Sequence, residues 1–434
     1  MSLPAFPGAE GFGSTTIGGR GGVVLHVNNL LDSGVGSWRW AINYPAPRII
    51  VFDVYGTITN LTPIKITDPF FTVAGQSAPG EGITFAGEET RVQTHDGVFR
   101  HCRFRSGDVV PPVDNWDNRD ALNFGAPNNL GGTYNIILDH CSLSWSVDEC
   151  CTVWFASHDI TIQYCIISEP LWHSFHPKGA HSMTHLFGAA DVSTFCYNIS
   201  SHHNLLIDGN ERNPQFAFCD MVDFRCNVVY NWGTAAAELE KGGQKRINFI
   251  NNYYLKGPNS GSNVSCMQVR NDALLVELYI AGNIDQLVSD PNANNWVMVR
   301  DYSGNQLPEN ANGHQFRLFQ PFATPKIRTQ PALTCATCLP KCVGATRPYR
   351  DDHDTRVINE FLNNRGAIID STAQVGGWET MQPGSVPLDT DQDGMPDSWE
   401  DSHGLNKNDA GDASGDRDGD GYTNIEEYLN ALAA

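Results

Sequence analysis

VFRHCRF (98–104), IILDHCSLS (136–144), ITIQYCIIS (160–168), SSHHNLLI (200–207), DFRCNVVY (223–230), NFINNYYL (248–255) and LYIAGNI (278–284) share one shape: alternating apolar residues, a Cys or Asn, then more apolar residues. Aligned, they place Cys102, Cys141, Cys165, Asn204, Asn227, Asn252 and Asn283 in one column, at spacings of 39, 24, 39, 23, 25 and 31. A period in the twenties is the mark of a solenoid. Strand-like repeats without an intervening helical pattern predict an all-β, right-handed parallel β-helix, its coils stacked at about 4.8 Å. The longer spacings read as coils carrying a loop insertion. A repeated inward Asn can bond its copies above and below, so the buried amides are satisfied. The competing reading is a β-sandwich with coincidental spacing. Stacked cysteines fall within disulfide reach, and a thiol ladder and a bridge remain equally open.

The end of the chain breaks the pattern. Asp354 to Asn363 predicts a short helix and Ala367-Ile368-Ile369 a strand, together wrapping the end of the solenoid, since exposed β-helix ends need covering. Cys335, Cys338 and Cys342 suggest a local disulfide in a closing loop, because a zinc site lacks a fourth ligand.

Charge excludes one class of partner. The net charge of the 434 residues is −21, and nucleic acid needs a basic footprint. Val386 to Ala434 holds 13 acidic against 2 basic residues, so over half of the excess sits in that tail and a local basic groove elsewhere stays feasible. Within the tail, Asp389, Asp391, Asp393, Gly394, Asp397 and Glu400 fit a twelve-residue calcium loop; Asp416, Asp418, Asp420, Gly421, Asn424 and Glu427 repeat the same offsets. The tail resembles dockerin-like or thrombospondin type 3 calcium modules. The expected division is 1–385 for the β-helix with its wrap and 386–434 for the calcium module. No apolar run is long enough to cross a bilayer, so no membrane is expected as a partner. The opening residues are read as a mature form whose leader has been removed, and twelve cysteines permit an oxidising, extracellular setting.

Several longer motifs carry a family resemblance. Ala5-Phe6-Pro7-Gly8-Ala9-Glu10-Gly11-Phe12-Gly13, Asp139-His140-Cys141-Ser142 through Asp148-Glu149, His176-Pro177-Lys178-Gly179, His202-His203-Asn204 to Arg212-Asn213-Pro214, and Ile368 to Trp378 resemble bacterial members of polysaccharide lyase family 1, the pectate lyases. The resemblance spans roughly residues 4 to 380. It implies a secreted, calcium-dependent lyase acting on pectate or a related polyuronate of plant or algal cell walls, by β-elimination and as a monomer. It implies calcium at Asp120, Asp148 and Glu149, with Asn118 where many members have Asp and Thr152 where a further Asp is expected. It implies Arg212 as catalytic base and substrate contact, and Lys178 and His176 as substrate-binding residues. Where the family often has a second arginine, this chain has Ala217. The chemistry is coherent: removal of the proton on C5, next to the uronate carboxylate, needs a cation on that carboxylate and a base at C5.

Two rivals remain. A β-helical glycoside hydrolase needs a pair of carboxylates, and Asp148 and Glu149, adjacent on a strand, are expected to face opposite sides. A non-catalytic carbohydrate-binding protein is consistent with the thinned calcium set.

Overall fold

The computed structural model describes residues 2–108, 110, 119–189, 191, 193–240, 242–261, 266–270, 275–311 and 314–434. Asn118 lies outside the described residues. The strands form three long sheets of eleven, eight and nine members, and each coil visits them in turn. Pairing within all three is parallel, as in Tyr134–Asp139 against His158–Gln163 and Glu149–Val153 against Met183–Phe187. This is the parallel β-helix.

Inside, like residues stack. Ile136, Ile160, Ile199, Val222, Ile247 and Leu278 are register partners on successive rungs of the eleven-strand sheet and are buried. Each such side chain contributes about 1.5–3 kcal/mol by leaving water. The helix Trp38–Ile42 plugs the first coils, with Trp38 against Phe85 at 4.4 Å between ring centroids.

The corner between the eleven- and eight-strand sheets explains the sequence column. The residue before each column position has a left-handed backbone: His101, His140, Tyr164, His203, Cys226, Asn251 and Gly282. This turns the chain sharply and aims the next amide N–H inward. In the later coils the stacked Asn accepts it. Asn227 Oδ1 takes the N–H of Asn204 (2.9 Å), Asn252 that of Asn227 (3.0 Å) and Asn283 that of Asn252 (2.8 Å). Asn295, which the repeat pattern did not include, continues the ladder by accepting the N–H of Asn283 (2.7 Å). The cysteines of the column are free thiols. Outside, the left-handed residues form a second stack, with ring spacings of 5.2, 4.9 and 4.8 Å from His101 through His140 and Tyr164 to His203.

Two outer faces are covered. The glycine-rich start lies on the eleven-strand sheet, closely enough that a Cβ on Gly13 would stand 2.1 Å from the Ile136 carbonyl oxygen. The tail packs on the same sheet through Met395, Ala413, Ile425 and Leu429 against Ile49, Val51 and Ala74. The eight-strand sheet is covered by the helices Ala332–Cys342 and Asp352–Leu362.

These helices differ from expectation in three ways. They lie along a side of the solenoid and not over its end, because the outward Ile166, Leu205, Ile207 and Val228 need apolar cover there. The Cys335–Cys342 segment is helical and its thiols are free, with Cys335 near Cys226 and His203. Ala367–Ile369 is not a strand; Ile369 instead packs beside Trp145 and Leu171. Ion pairs fix the wrap: Arg105 to Asp351 (2.6 Å) and Asp354 (3.0 Å), and Glu169 to Arg356 (2.7 Å) and His353 (3.2 Å).

Two predictions follow from this frame. Asn227→Ala strands the buried N–H of Asn204 and should cost about 2–3 kcal/mol in denaturant unfolding; an unchanged midpoint would refute the ladder's role. Burial pushes the Glu169 carboxyl up, but its bonds to His353 and Arg356 outweigh that and hold it at about 2. Its stabilisation, on the order of 3 kcal/mol, is therefore present above the ordinary glutamate range and is lost as pH falls through about 2. The stability gap between the parent and Glu169→Gln should close over that window in pH-dependent unfolding.

Candidate active site

The third face carries the acidic turns. Each coil enters the nine-strand sheet through a turn from the eight-strand sheet, and the parallel register stacks these turns. Successive rungs bring Glu89, Asp120, then Asp148 with Glu149, then His176 and His181, then Arg212, then Glu238. The two long coils place most of their extra residues here. The chain runs from Arg105 to Leu122, and from Ser168 to Met183, between those two sheets, against only Ser144 to Glu149 in the coil between them.

Asp120, Asp148 and Glu149 each offer an oxygen within 4.8 Å of the others, and all three are buried. The expected opposition of Asp148 and Glu149 is not met. The strand begins at Glu149, so Asp148 belongs to the turn and strand alternation does not apply to it. Asp120 is held by the Glu149 N–H on one oxygen (3.0 Å) and by the Asn123 amide on the other (2.6 Å). Burial first, and then the Asp148 charge, push its carboxyl well above the usual range. Asp148 goes the other way. Burial raises it, but His176, His181 and the charge of Arg212 outweigh burial and hold it at about 2.

Positive and aromatic groups close the cluster. His181 Nε2 stands 2.7 Å from Asp148 Oδ1, and His176 Nε2 lies 3.8 Å from its other oxygen. The two imidazoles stack at 3.7 Å. The Arg212 guanidinium pairs with Glu149 and is about one-fifth exposed. Its backbone is left-handed (φ 58°), held by its N–H on Glu238 Oε2 (2.9 Å) and by its carbonyl accepting from the His185 N–H (2.9 Å). A left-handed arginine is costly and persists only where its neighbours impose it.

Arg212, Asp120, Asp148, Glu149 and His176 therefore converge. Lys178 sits on the exposed end of the turn that carries His176, its N–H donating to His176 Nδ1 (3.2 Å). His181 and Glu238 were not assigned from sequence. His181 has a metal-type spacing to His185, but on a segment expected to be a loop and not a helix, which leaves it unassigned; Glu238 is brought in only by register. His185, four residues after His181, lies on the strand Met183–Phe187 as a core residue; burial lowers it to about 4 despite its Nδ1 contact with the Cys151 carbonyl oxygen (2.9 Å). His202 and His203 are likewise fully buried.

No protein-family model matches the chain. Over 439 aligned positions, covering 99% of the chain and 94% of the relative, it is 33% identical to probable pectate lyase C of Aspergillus flavus. The chain belongs to the pectate lyase family. It is a polysaccharide lyase. Solved structures agree on the fold. A pectate lyase from Bacillus sp. N165, in complex with trigalacturonate, superposes with a TM-score of 0.52 at 18% identity, over 77% of this chain and 98% of that one. The major cedar pollen allergen jun a 1 gives 0.55 at 15%, over 77% and 92%.

This pectate lyase carries a second acidic group in its tail, and the two loops there share one wiring. The first carboxylate accepts the glycine N–H: Asp389 from Gly394 (2.9 Å) and Asp416 from Gly421 (3.0 Å). The fifth position accepts from the seventh: Asp393 from Met395 (2.8 Å) and Asp420 from Tyr422 (2.9 Å). The ninth braces the second: Asp397 accepts the Thr390 N–H (2.8 Å) and Asn424 that of Arg417 (3.2 Å). The structure thus turns Asp397 and Asn424 to bracing. Asp389, Asp391, Asp393 and Glu400 come together in the first loop. In the second, burial and the charges of Asp420, Asp418 and Asp416 raise Glu427.

Proposed function

We propose that this protein is a secreted, calcium-dependent lyase that cleaves pectate by β-elimination, releasing 4,5-unsaturated oligosaccharides. The observation that carries the reading is the convergence of Asp120, Asp148 and Glu149 with Arg212 on neighbouring rungs at the entry to the nine-strand sheet. The names of its relatives, pectate lyases, supply the substrate class.

The donor set suits a hard cation. Three buried carboxylates offer oxygen only, and the raised Asp120 carboxyl marks a place where negative charge lacks compensation. Calcium held by these residues would neutralise a uronate carboxylate and stabilise charge developing beside it. The chain's own groups do the rest. His181 and His176 fix Asp148 in its ionised form, and Glu238 and His185 fix the backbone that presents Arg212. Arg212 takes the C5 proton, the C4–C5 double bond forms, and the C4–O4 bond breaks, with O4 leaving as a hydroxyl after protonation. A free guanidinium has a pKa above about 12, so this role requires its neutral form to be favoured as substrate binds. Lys178, exposed beside the turn, pairs a neighbouring uronate. We further propose that residues 1–385 form the catalytic unit and 386–434 a calcium module, and that the enzyme acts as a monomer. Among the described residues no helix is long and apolar enough to cross a membrane.

Polygalacturonate incubated with calcium should yield product absorbing in the ultraviolet, and full chelation should abolish it. Turnover surviving chelation sinks the calcium role; new reducing ends without a double bond would indicate hydrolysis. Arg212→Ala should lower kcat by about 10²–10⁴. His181→Ala should raise the calcium concentration needed for half-activation by about tenfold or more, with activity recovered at high calcium; equal loss at all calcium concentrations would exclude a role through Asp148.

A further inference from the structure

The tail contains a carboxylate that the loop pattern does not count. Asp412 lies between the two loops, in the short turn Asp412–Ser414. One of its oxygens accepts the Asn406 N–H (2.7 Å); the other is buried and has no partner. It faces the first loop: Asp393, Asp391, Asp412 and Asp389 are the charges that press on Glu400. Asp397 is spent on Thr390, through both its N–H and its hydroxyl.

Glu400 is the deciding residue. It is fully buried, and neither carboxylate oxygen has a hydrogen-bond partner. Asp393 is 2% exposed, and its second oxygen is also unpartnered. A buried, unpaired carboxylate is expensive, and charged groups are kept inside proteins when they are paired or bind metal. Here several point at one another; His26 Nε2 reaches Asp389 (4.0 Å), whereas the buried oxygens of Asp393, Glu400 and Asp412 have no hydrogen-bond partner among the described residues, so the missing partner is positive. Multiple carboxylate oxygens on flexible loops suit calcium better than magnesium, which retains its waters and demands an octahedron.

We infer that Asp389, Asp391, Asp393, Glu400 and Asp412 together hold one calcium ion, with Asp412 a ligand in place of Asp397, and that this ion clamps the tail onto the first coils of the β-helix. The clamp follows from connectivity. Ala413 directly follows Asp412 and Met395 lies two residues after Asp393, and both apolar residues sit in the cluster with Ile49 and Val51. His26 Nε2, on the first strand, lies 3.2 Å from the Gln392 carbonyl oxygen inside the loop. An ion joining the loop to Asp412 therefore holds the two halves of that apolar contact together. The site is separate from the groove and does not rest on its proposed chemistry.

The test uses the full chain, calcium binding by flow dialysis, and thermal melting in calcium or EGTA. Asp412→Asn should bind one equivalent about tenfold more weakly and lose part of the calcium-induced rise in Tm, whereas Asp397→Asn, which keeps the acceptor for Thr390, should match the parent. Glu400→Gln should melt above the parent in EGTA and below it in calcium. Polygalacturonate cleavage by Asp412→Asn at saturating calcium, well below the melting temperature, should equal the parent's. The inference is overturned if Asp412→Asn binds calcium like the parent, if Asp397→Asn weakens it as much, or if Glu400→Gln shifts Tm equally in both buffers.

Discussion

From His101 to Gly282, each time the chain leaves the eleven-strand sheet it passes through a left-handed residue and turns an amide N–H into space that water does not reach. That donor must find an acceptor. In the later coils the side-chain oxygen of the next Asn supplies it, and the same Asn presents its own N–H to the rung beyond. The requirement ties each of these later coils to its neighbour at a single register. A slip of one residue would turn every stacked Ile and Phe outward. Register in turn aligns the turns, and the aligned turns bring Asp120, Asp148 and Arg212 to one spot from 93 positions of chain. The site's geometry is thus inherited from the register of the coils that carry it.

The site is balanced by its own residues. Its two aspartates shift in opposite senses although burial raises both, because His181, His176 and Arg212 reach Asp148 while Asp120 meets mainly other carboxylates. Glu149 links the acidic half to the arginine. On the proposed reading, a cation entering the cluster and a guanidinium turning toward substrate would be coupled events, since both would draw on Glu149.

The sequence displayed the column of Cys and Asn because a solenoid repeats its most constrained residue. It displayed the two acidic loops of the tail because their spacing is local. It did not display Asn295, which comes only twelve residues after Asn283 where a coil shortens. Nor could it separate Asp148 from the strand that begins one residue later, and that single boundary reversed the expected relation of Asp148 to Glu149. The position of the wrap was hidden for a different reason. Helices pack where an outer face is apolar, and outwardness emerges only once the rungs are stacked. Glu238 and Asp412 act across folds of the chain that no short motif spans.

One feature of the coils has an evolutionary side. Most of the extra residues of the two long coils fall between the eight- and nine-strand sheets, and not at the amide corner between the eleven- and eight-strand sheets. A lengthened excursion there leaves the ladder's donors and acceptors unchanged, and the entropy of closing a longer loop rises only slowly with its length. Such a scaffold lets natural selection rewrite the rim around a sugar chain by insertion and deletion while the barrel beneath is inherited intact.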